Sequence, residues 1–296
     1  MKNVLLLFAQ VSVERGLADP VALTKLLNDT SVDIAVSWAY LEDLVFSINN
    51  EAVDLYDARN EQPIEAYSKV YFRYWGAQEG HAIAAARICH LKDISFMDSE
   101  ALQVGSKNKI TQYVNLYESK VAFPRTLVAN HENLRKYYGQ FGFSFPLIMK
   151  DKGGTRGQTN YLIRDELHMQ EVMQAHPQIT FVLQEFIPND GDYRVIVAGD
   201  EVKLVIHRKA QGDSHLNNTS QGGSATIVPN TELPSSILED CVRATKFYGR
   251  QFTGVDIVRS KQDGKYYCFE INRAPQIESA SFRQEKAHIL AELLAA

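Results

Sequence analysis

The chain is predicted to be a mixed α/β protein, α+β in its later part, built in three parts. Three observations predict this. Apolar strand-like runs alternate with helical stretches over the first hundred or so residues, an apolar strand at 145–150 runs straight into a glycine-rich turn at 151–157, and two alternating runs, FTGVDIV (252–258) and YYCFEIN (266–272), flank a turn-rich connector. The resulting division is an α/β domain at 1–105, a smaller subdomain carrying the glycine turn at 106–187, and a closing subdomain at 188–296.

In chain order, 4–8 reads as a buried strand. Asp19-Pro20 reads as a helix start whose apolar stripe is Val21, Leu23, Leu26 and Leu27. Strands follow at 34–38 and 70–74, and an alanine-rich helix at 80–89. After a polar crossing at 102–109 come a helix at 110–117, a strand at 126–128, a helix at 132–138 and the strand at 145–150. Further strands are expected at 179–186 and 193–198. Gly199-Asp200 is a hairpin turn signal leading into a strand at 201–208. Residues 211–224 read as a polar loop, 236–248 as an amphipathic helix and 284–294 as a closing helix.

Composition narrows the classes. With 296 residues the chain can bury a large core, and 45% hydrophobic with 23% charged residues is ordinary globular composition. A formal net charge of -5 gives a nucleic-acid role no global support, and no apolar run reaches the ~20 residues of a membrane span. Cys89, Cys241 and Cys268 are odd in number and lack CxxC spacing, so they read as buried thiols in a reducing, cytoplasmic setting. The first residues lack the length of a secretion signal.

Alternation puts Glu270 and Asn272 on one strand face, and the 260–264 connector folds that strand back so that Asp256 lies alongside Glu270. Two carboxylates and an amide oxygen in one space are expensive unless a cation neutralises them, and Mg²⁺ with bound phosphate does so. A surface hairpin with scattered acids is the competing reading. Lys150 ends an apolar strand beside Gly153, Gly154, Thr155 and Gly157, where backbone N–H groups and an ammonium suit phosphate, although the spacing matches no P-loop and an ordinary turn competes. Gln184, Glu185, Phe186 and Ile187 suit the edge and faces of an adenine with its ribose, against a half-buried strand whose Glu faces solvent. Asp192 and Arg194 share a strand face. Arg194 and Arg208 are candidates to hold a transferring phosphoryl group and an acid, with a structural Asp192–Arg194 pair as the alternative. The following loop, with Asn218, offers an amide ligand, and His207 is the one histidine expected near the site.

In order, these pieces resemble the ATP-grasp superfamily of ligases, most closely its RimK-like branch, which adds amino acids to peptide or protein carboxyl groups. The resemblance runs from Ser106-Lys-Asn-Lys109 through PLIMK with GGTRG, VLQEFI, GDYRVIV, IHRKA with its NN…GG loop, GVDIV and FEIN, to about Ser279. It implies a preamble domain, a small mobile lid and a C-terminal domain presenting metals, with ATP between lid and sheet. Lys109 and Lys150 would contact ATP phosphates or adenine, and Gln184, Glu185 and Ile187 the adenine and ribose. Asp192 and Arg194 would form a ribose-side and phosphate-side network, Arg208 would meet the γ-phosphoryl or acyl phosphate, and Asp256, Glu270 and Asn272 would hold two Mg²⁺ ions, with Mn²⁺ as a substitute. The implied reaction joins a small-molecule or peptide carboxylate to an amine through an acyl phosphate, releasing ADP and phosphate. A non-catalytic nucleotide-binding regulator and a kinase acting on a non-carboxylate acceptor are the alternatives, and a homo-oligomer is left open. Where the branch has a small residue and then Pro-Gly after the metal Asn, this chain has Arg273-Ala-Pro-Gln276. Arg273 is therefore expected either to recognise an acidic co-substrate or to turn outward onto Glu278.

Overall fold

The computed structural model describes residues 1–48, 51–76, 78–102, 109–152, 159–210, 223–279 and 281–296. The first part is a parallel sheet. Strand β1 (Lys2–Phe8) pairs with β2 (Ile34–Tyr40) on one side and, on the other, with β6 (Lys69–Tyr74), which in turn pairs with β7 (Ser95–Met97). A parallel strand is covered on both faces, which is why residues 4–8 are an unbroken apolar run with no exposed surface. Helices α1 (Gln10–Glu14) and α2 (Pro20–Asn28) connect β1 to β2. Asp19 caps α2 by accepting from the Ala22 N–H at 2.9 Å, and Pro20 occupies the first turn, where its missing N–H costs nothing. Between β2 and β6 lies a small antiparallel meander of β3 (Leu44–Ile48), β4 (Val53–Asp57) and β5 (Gln62–Pro63), and α3 (Glu79–Leu91) leads from β6 to β7.

Helix α4 (Lys109–Glu118) precedes a second, antiparallel sheet. That sheet has the order β10-β9-β11-β8, from β8 (Thr126–Val128), β9 (Leu147–Asp151), β10 (Asn160–Ile163) and β11 (Phe181–Glu185). Helices α5 (His131–Tyr137) and α6 (Glu166–Ala175) cover it with a core of Leu134, Met149, Met169, Met173 and Phe181. Although α4 directly precedes this unit, its buried Tyr113 and Leu116 join a different core, with Val195, Val255 and Cys241 of the third unit.

The third unit is a five-stranded antiparallel sheet, β14-β13-β12-β15-β16, comprising β12 (Asp192–Ala198), β13 (Glu201–Lys209), β14 (Ser224–Val228), β15 (Phe252–Arg259) and β16 (Tyr266–Asn272). Helix α7 (Ser235–Phe247) packs on one face. Helix α8 (Arg283–Ala295) serves two units at once. Its Ala287, Leu290, Ala291 and Leu294, at helical spacing, are fully buried in one core with Val4 and Leu6 of the first sheet and Ile196 and Phe252 of the third. Burial of each leucine contributes about 1.5–3 kcal/mol, so the first and third units are held together by a shared interior. No helix among the described residues is long and apolar enough to cross a membrane.

A polar seam runs beside that interior. Glu100 and Arg250 form a bidentate pair at 2.7 and 2.8 Å, both buried. Next to them Asp98 is fully buried in left-handed backbone (φ 68°). It accepts from the Gln251 N–H at 2.8 Å through one oxygen, and its other oxygen has no hydrogen bond. Burial pushes the Asp98 carboxyl up to about 6, against the pull of that N–H and of Arg273 and Arg250. Because the folded value lies above the unfolded value near 3.8, the native state keeps a proton that the unfolded chain has already lost. Stability attributable to Asp98 is therefore present at low pH and declines as pH rises from about 4 to about 6. Asp98→Asn keeps the acceptor and tolerates the left-handed backbone. Denaturant titrations across this window should show the decline in the parent chain and not in the variant, which gains up to about 3 kcal/mol at pH 7.

Candidate active site

The site is assembled on one face of the third sheet by strand alternation. In β12, Asp192 and Arg194 point to the same side. Cross-strand register sets Asp192 opposite Arg208 of β13, Arg194 opposite Asp256 of β15, and Asp256 opposite Glu270 of β16. The side chains close into a lattice. Arg194 donates to both oxygens of Asp256, Nε to Oδ1 at 2.6 Å and Nη2 to Oδ2 at 2.8 Å. Arg208 donates in the same manner to Asp192, at 2.7 and 2.6 Å, and its Nη2 also lies 3.1 Å from Asp256 Oδ1. Asn272 joins from β16 with its amide N 3.3 Å from Asp256 Oδ2. The pairs therefore run across strands, and the alternative pairing of Asp192 with Arg194 along one strand is not formed. Gly254 leaves room for this, since a Cβ there would lie 2.8 Å from Arg194 Cδ and 3.0 Å from Pro275 Cβ.

Burial acts on Asp256 against ionisation, but Arg194 and Arg208 outweigh it and hold the carboxyl below the usual carboxylate range. For Asp192 burial is the larger effect and pushes the carboxyl up, opposed by Arg208. The Nη1 group of each arginine makes no hydrogen bond with a described residue, so both forks keep donors for a further anion. Glu270 is half-buried, and its carboxylate makes neither a hydrogen bond nor a close ion pair with a described residue. Asp256, Glu270 and Asn272 thus form a hard-oxygen donor set of two carboxylates and an amide, the chemistry that suits Mg²⁺.

A second group lies on the sheet with α5 and α6. Lys150 on β9 donates to Gln184 Oε1 at 2.9 Å, and Gln184 Nε2 donates to Thr126 Oγ at 2.8 Å. The Lys150 ammonium also stands 5.6 Å from the centre of the Tyr113 ring on α4. Lys109, at the start of α4, reaches the Lys152 carbonyl at 3.4 Å. Burial lowers its pKa, Glu270 opposes the shift and Lys150 adds to it, which sets both lysines and Glu270 in one electrostatic neighbourhood between the two sheets. Gln184, expected at the base and ribose, is buried at 2% exposure with its amide spent on Lys150 and Thr126. Glu185 is only partly buried and accepts from the Arg125 N–H at 2.8 Å, Phe186 is partly buried, and Ile187 is buried.

Two expectations are corrected. Arg273 does not turn outward onto Glu278. One residue beyond Asn272, its guanidinium lies 3.7 Å from the centre of the Trp75 ring, in the field of Glu100, Arg250 and Asp98, and its Nη1 is buried without a hydrogen bond. Burial lowers its pKa. The cause is geometric, because a side chain one position on from a strand residue leaves on the other side. His207 likewise faces away from Arg208 and stacks on Tyr193, with ring centres 4.6 Å apart. Gly153, Gly154, Thr155, Gly157 and Asn218 lie outside the described residues. Sequence reasoning missed Thr126 and Tyr113, which gave no signal beyond their strand and helix positions, and the buried charges Arg73, Glu278 and Lys286.

Residues 106–296 match the RimK-like ATP-grasp domain, and the chain belongs to that family of ATP-dependent carboxylate–amine ligases. A protein named probable alpha-L-glutamate ligase 1, from Shewanella amazonensis, is 26% identical over 236 residues, which cover 78% of this chain and 76% of that protein. The fold is shared with the ATP-grasp ligase PsnB, solved with a phosphomimetic variant of its minimal precursor, Mg and ADP (TM-score 0.67, 16% identity, 99% of this chain and 98% of that one). It is shared equally with D-alanyl-alanine synthetase A from Vibrio cholerae (TM-score 0.67, 13% identity, 99% and 97%).

The Thr126–Gln184–Lys150 chain generates a test. Gln184→Leu removes the acceptor that fixes the Lys150 ammonium. A hydrogen bond to a charged group is worth about 1.5–3 kcal/mol, so the affinity for ATP, read by titration with a fluorescent analogue, should fall about 10- to 100-fold.

Proposed function

We propose that this protein activates a carboxylate by transfer of the ATP γ-phosphoryl group and joins the resulting acyl phosphate to an amine, releasing ADP and phosphate. The observation that carries the reading is the Arg208–Asp192 and Arg194–Asp256 lattice with Glu270 beside it, unpaired among the described residues, because it gathers permanent positive charge and hard oxygen donors on one sheet face. Asp256, Glu270 and Asn272 would hold Mg²⁺, in one or two ions or with Mn²⁺ in its place, and bound metal would neutralise phosphate charge there.

This chain's own residues supply the rest. Lys150 and Lys109 bind phosphate oxygens from the side of α4 and β9, and Gln184 holds Lys150 in place. The end of β11, at Glu185 to Ile187, receives the adenosine. Arg194 and Arg208, clamped by carboxylates so that their free Nη1 edges keep one orientation, bind the oxygens on which charge develops during transfer. No side-chain nucleophile is required. We place the protein in the cytoplasm, in keeping with its three buried free thiols.

The reading is tested by supplying ATP, Mg²⁺ and a panel of acids and amines and following ADP together with an amide product by mass spectrometry. Hydroxylamine should trap the activated acid as a hydroxamate. ADP release without hydroxamate or amide would point to a non-carboxylate acceptor, and nucleotide binding without ADP release to a regulator. Glu270→Gln should lower turnover about 100-fold or more at saturating Mg²⁺ with an unchanged melting temperature, since the carboxylate bears no structural bond among the described residues.

A further inference from the structure

The strand that carries two of the three hard-oxygen donors is irregular and lies at the edge of its sheet. β16 comes last in the order β14-β13-β12-β15-β16, so one side of its backbone has no neighbouring strand among the described residues. Its ladder to β15 pairs Asp256 with Glu270 and Ile257 with Cys268, which leaves Phe269 as one extra residue between them. That bulge decides direction. Cys268 and Ile271, three residues apart, are both buried in the core with Cys241 and Ala244 of α7, whereas simple alternation would have sent them to opposite faces. The extra residue reconciles the two and leaves Glu270 and Asn272 to the face of Asp256.

A bulged edge strand has little ladder to fix its last residues, yet side chains hold both backbone groups of Ile271, which sits between the two donors. Arg250 Nη1 donates to the Ile271 carbonyl at 2.8 Å, and Gln112 on α4 accepts from the Ile271 N–H through Oε1 at 3.4 Å. Upstream, the Cys268 N–H donates to the Ala122 carbonyl at 2.8 Å, and the Tyr113 hydroxyl donates to the Phe269 carbonyl at 3.4 Å. Arg250 is itself aimed. Its Nε and Nη2 donate to the two oxygens of Glu100, on the segment between β7 and α4, at 2.8 and 2.7 Å, and its guanidinium lies 4.4 Å from the centre of the Tyr248 ring. The Tyr248 hydroxyl in turn donates to the Gln112 carbonyl at 2.7 Å, which joins the two clamps. A buried ion pair adds little net stability over apolar groups of the same volume, so stability alone does not account for Arg250 and Glu100. Apolar groups there would leave the Ile271 carbonyl without its donor. Resting on the reading of Asp256, Glu270 and Asn272 as metal donors, we propose that Arg250 and Gln112 are positioning residues for the divalent cation. They act through the Ile271 backbone, and Glu100 brings the end of the first unit to bear on the metal site.

Mn²⁺ is the probe, titrated into the full-length protein with ADP and followed by electron paramagnetic resonance. Arg250→Lys keeps the charge facing Glu100 and loses the fork that reaches Ile271. Gln112→Met keeps the side-chain length and loses the acceptor for the Ile271 N–H. Each variant should weaken Mn²⁺ binding about 10- to 100-fold, the range found when groups that orient metal ligands are removed, and leave the affinity for ADP without metal unchanged. Parent-like Mn²⁺ affinity in either folded variant, with or without a lowered melting temperature, would overturn the proposal, because a role confined to holding the fold predicts that result. Gln112→Met removes no charge, so it decides even if Arg250→Lys fails to fold. Glu270→Gln separates the proposal from the reading beneath it. Mn²⁺ affinity that falls in Glu270→Gln and holds in the other two variants removes the positioning role and leaves the metal donors standing. Mn²⁺ affinity unchanged in Glu270→Gln sinks the donor assignment, and the proposal with it.

Discussion

The carboxylate of Asp256 is the point on which the site is organised. It is buried, it accepts three N–H groups from two arginines, and it sits in register with Glu270 and within reach of Asn272. An isolated carboxylate in that position would be prohibitively costly. Its neighbours are therefore determined by its presence: Arg194 in register on β12, Arg208 one strand further, and Asp192 to neutralise the second guanidinium. Removing any member leaves a buried charge uncompensated, so the lattice acts as one unit and not as a sum of pairs.

Much of this was legible in the sequence because strand alternation is a strong constraint. Asp256, Glu270 and Asn272 declare their common face through their apolar neighbours, and 193–198 and 201–208 declare a hairpin through Gly199-Asp200. What alternation cannot supply is the partner across strands. Asp192 and Arg194 invite pairing along their own strand, and only the register of three strands shows that each turns to a neighbour instead. Arg273 illustrates the same limit at a strand end. Adjacency to Asn272 in sequence implied adjacency to metal, whereas a single step along an extended chain carried the guanidinium onto Trp75.

The elements that escaped sequence reading are short or two-faced. The meander of β3, β4 and β5 mixes polar and apolar residues over a few positions, and α6 is a ten-residue helix in a polar stretch that reads equally well as a connector. The buried charges at the first-to-third unit seam were unreadable for another reason. Nothing in the sequence places Arg73 in the same seam as Glu278 and Lys286, since that depends on α8 packing back onto β1 and β2, which lie about 240 to 290 residues earlier in the chain.

That packing has a temporal consequence. One face of strand β1 is covered by Leu290 and Leu294, which lie nearly three hundred residues further along the chain. Completing the core under the first sheet therefore requires closure of a loop of nearly three hundred residues, a slow event on topological grounds. The same long closure gives the finished molecule a mechanical tie, since separating the first and third units requires α8 to leave a core that both of them share.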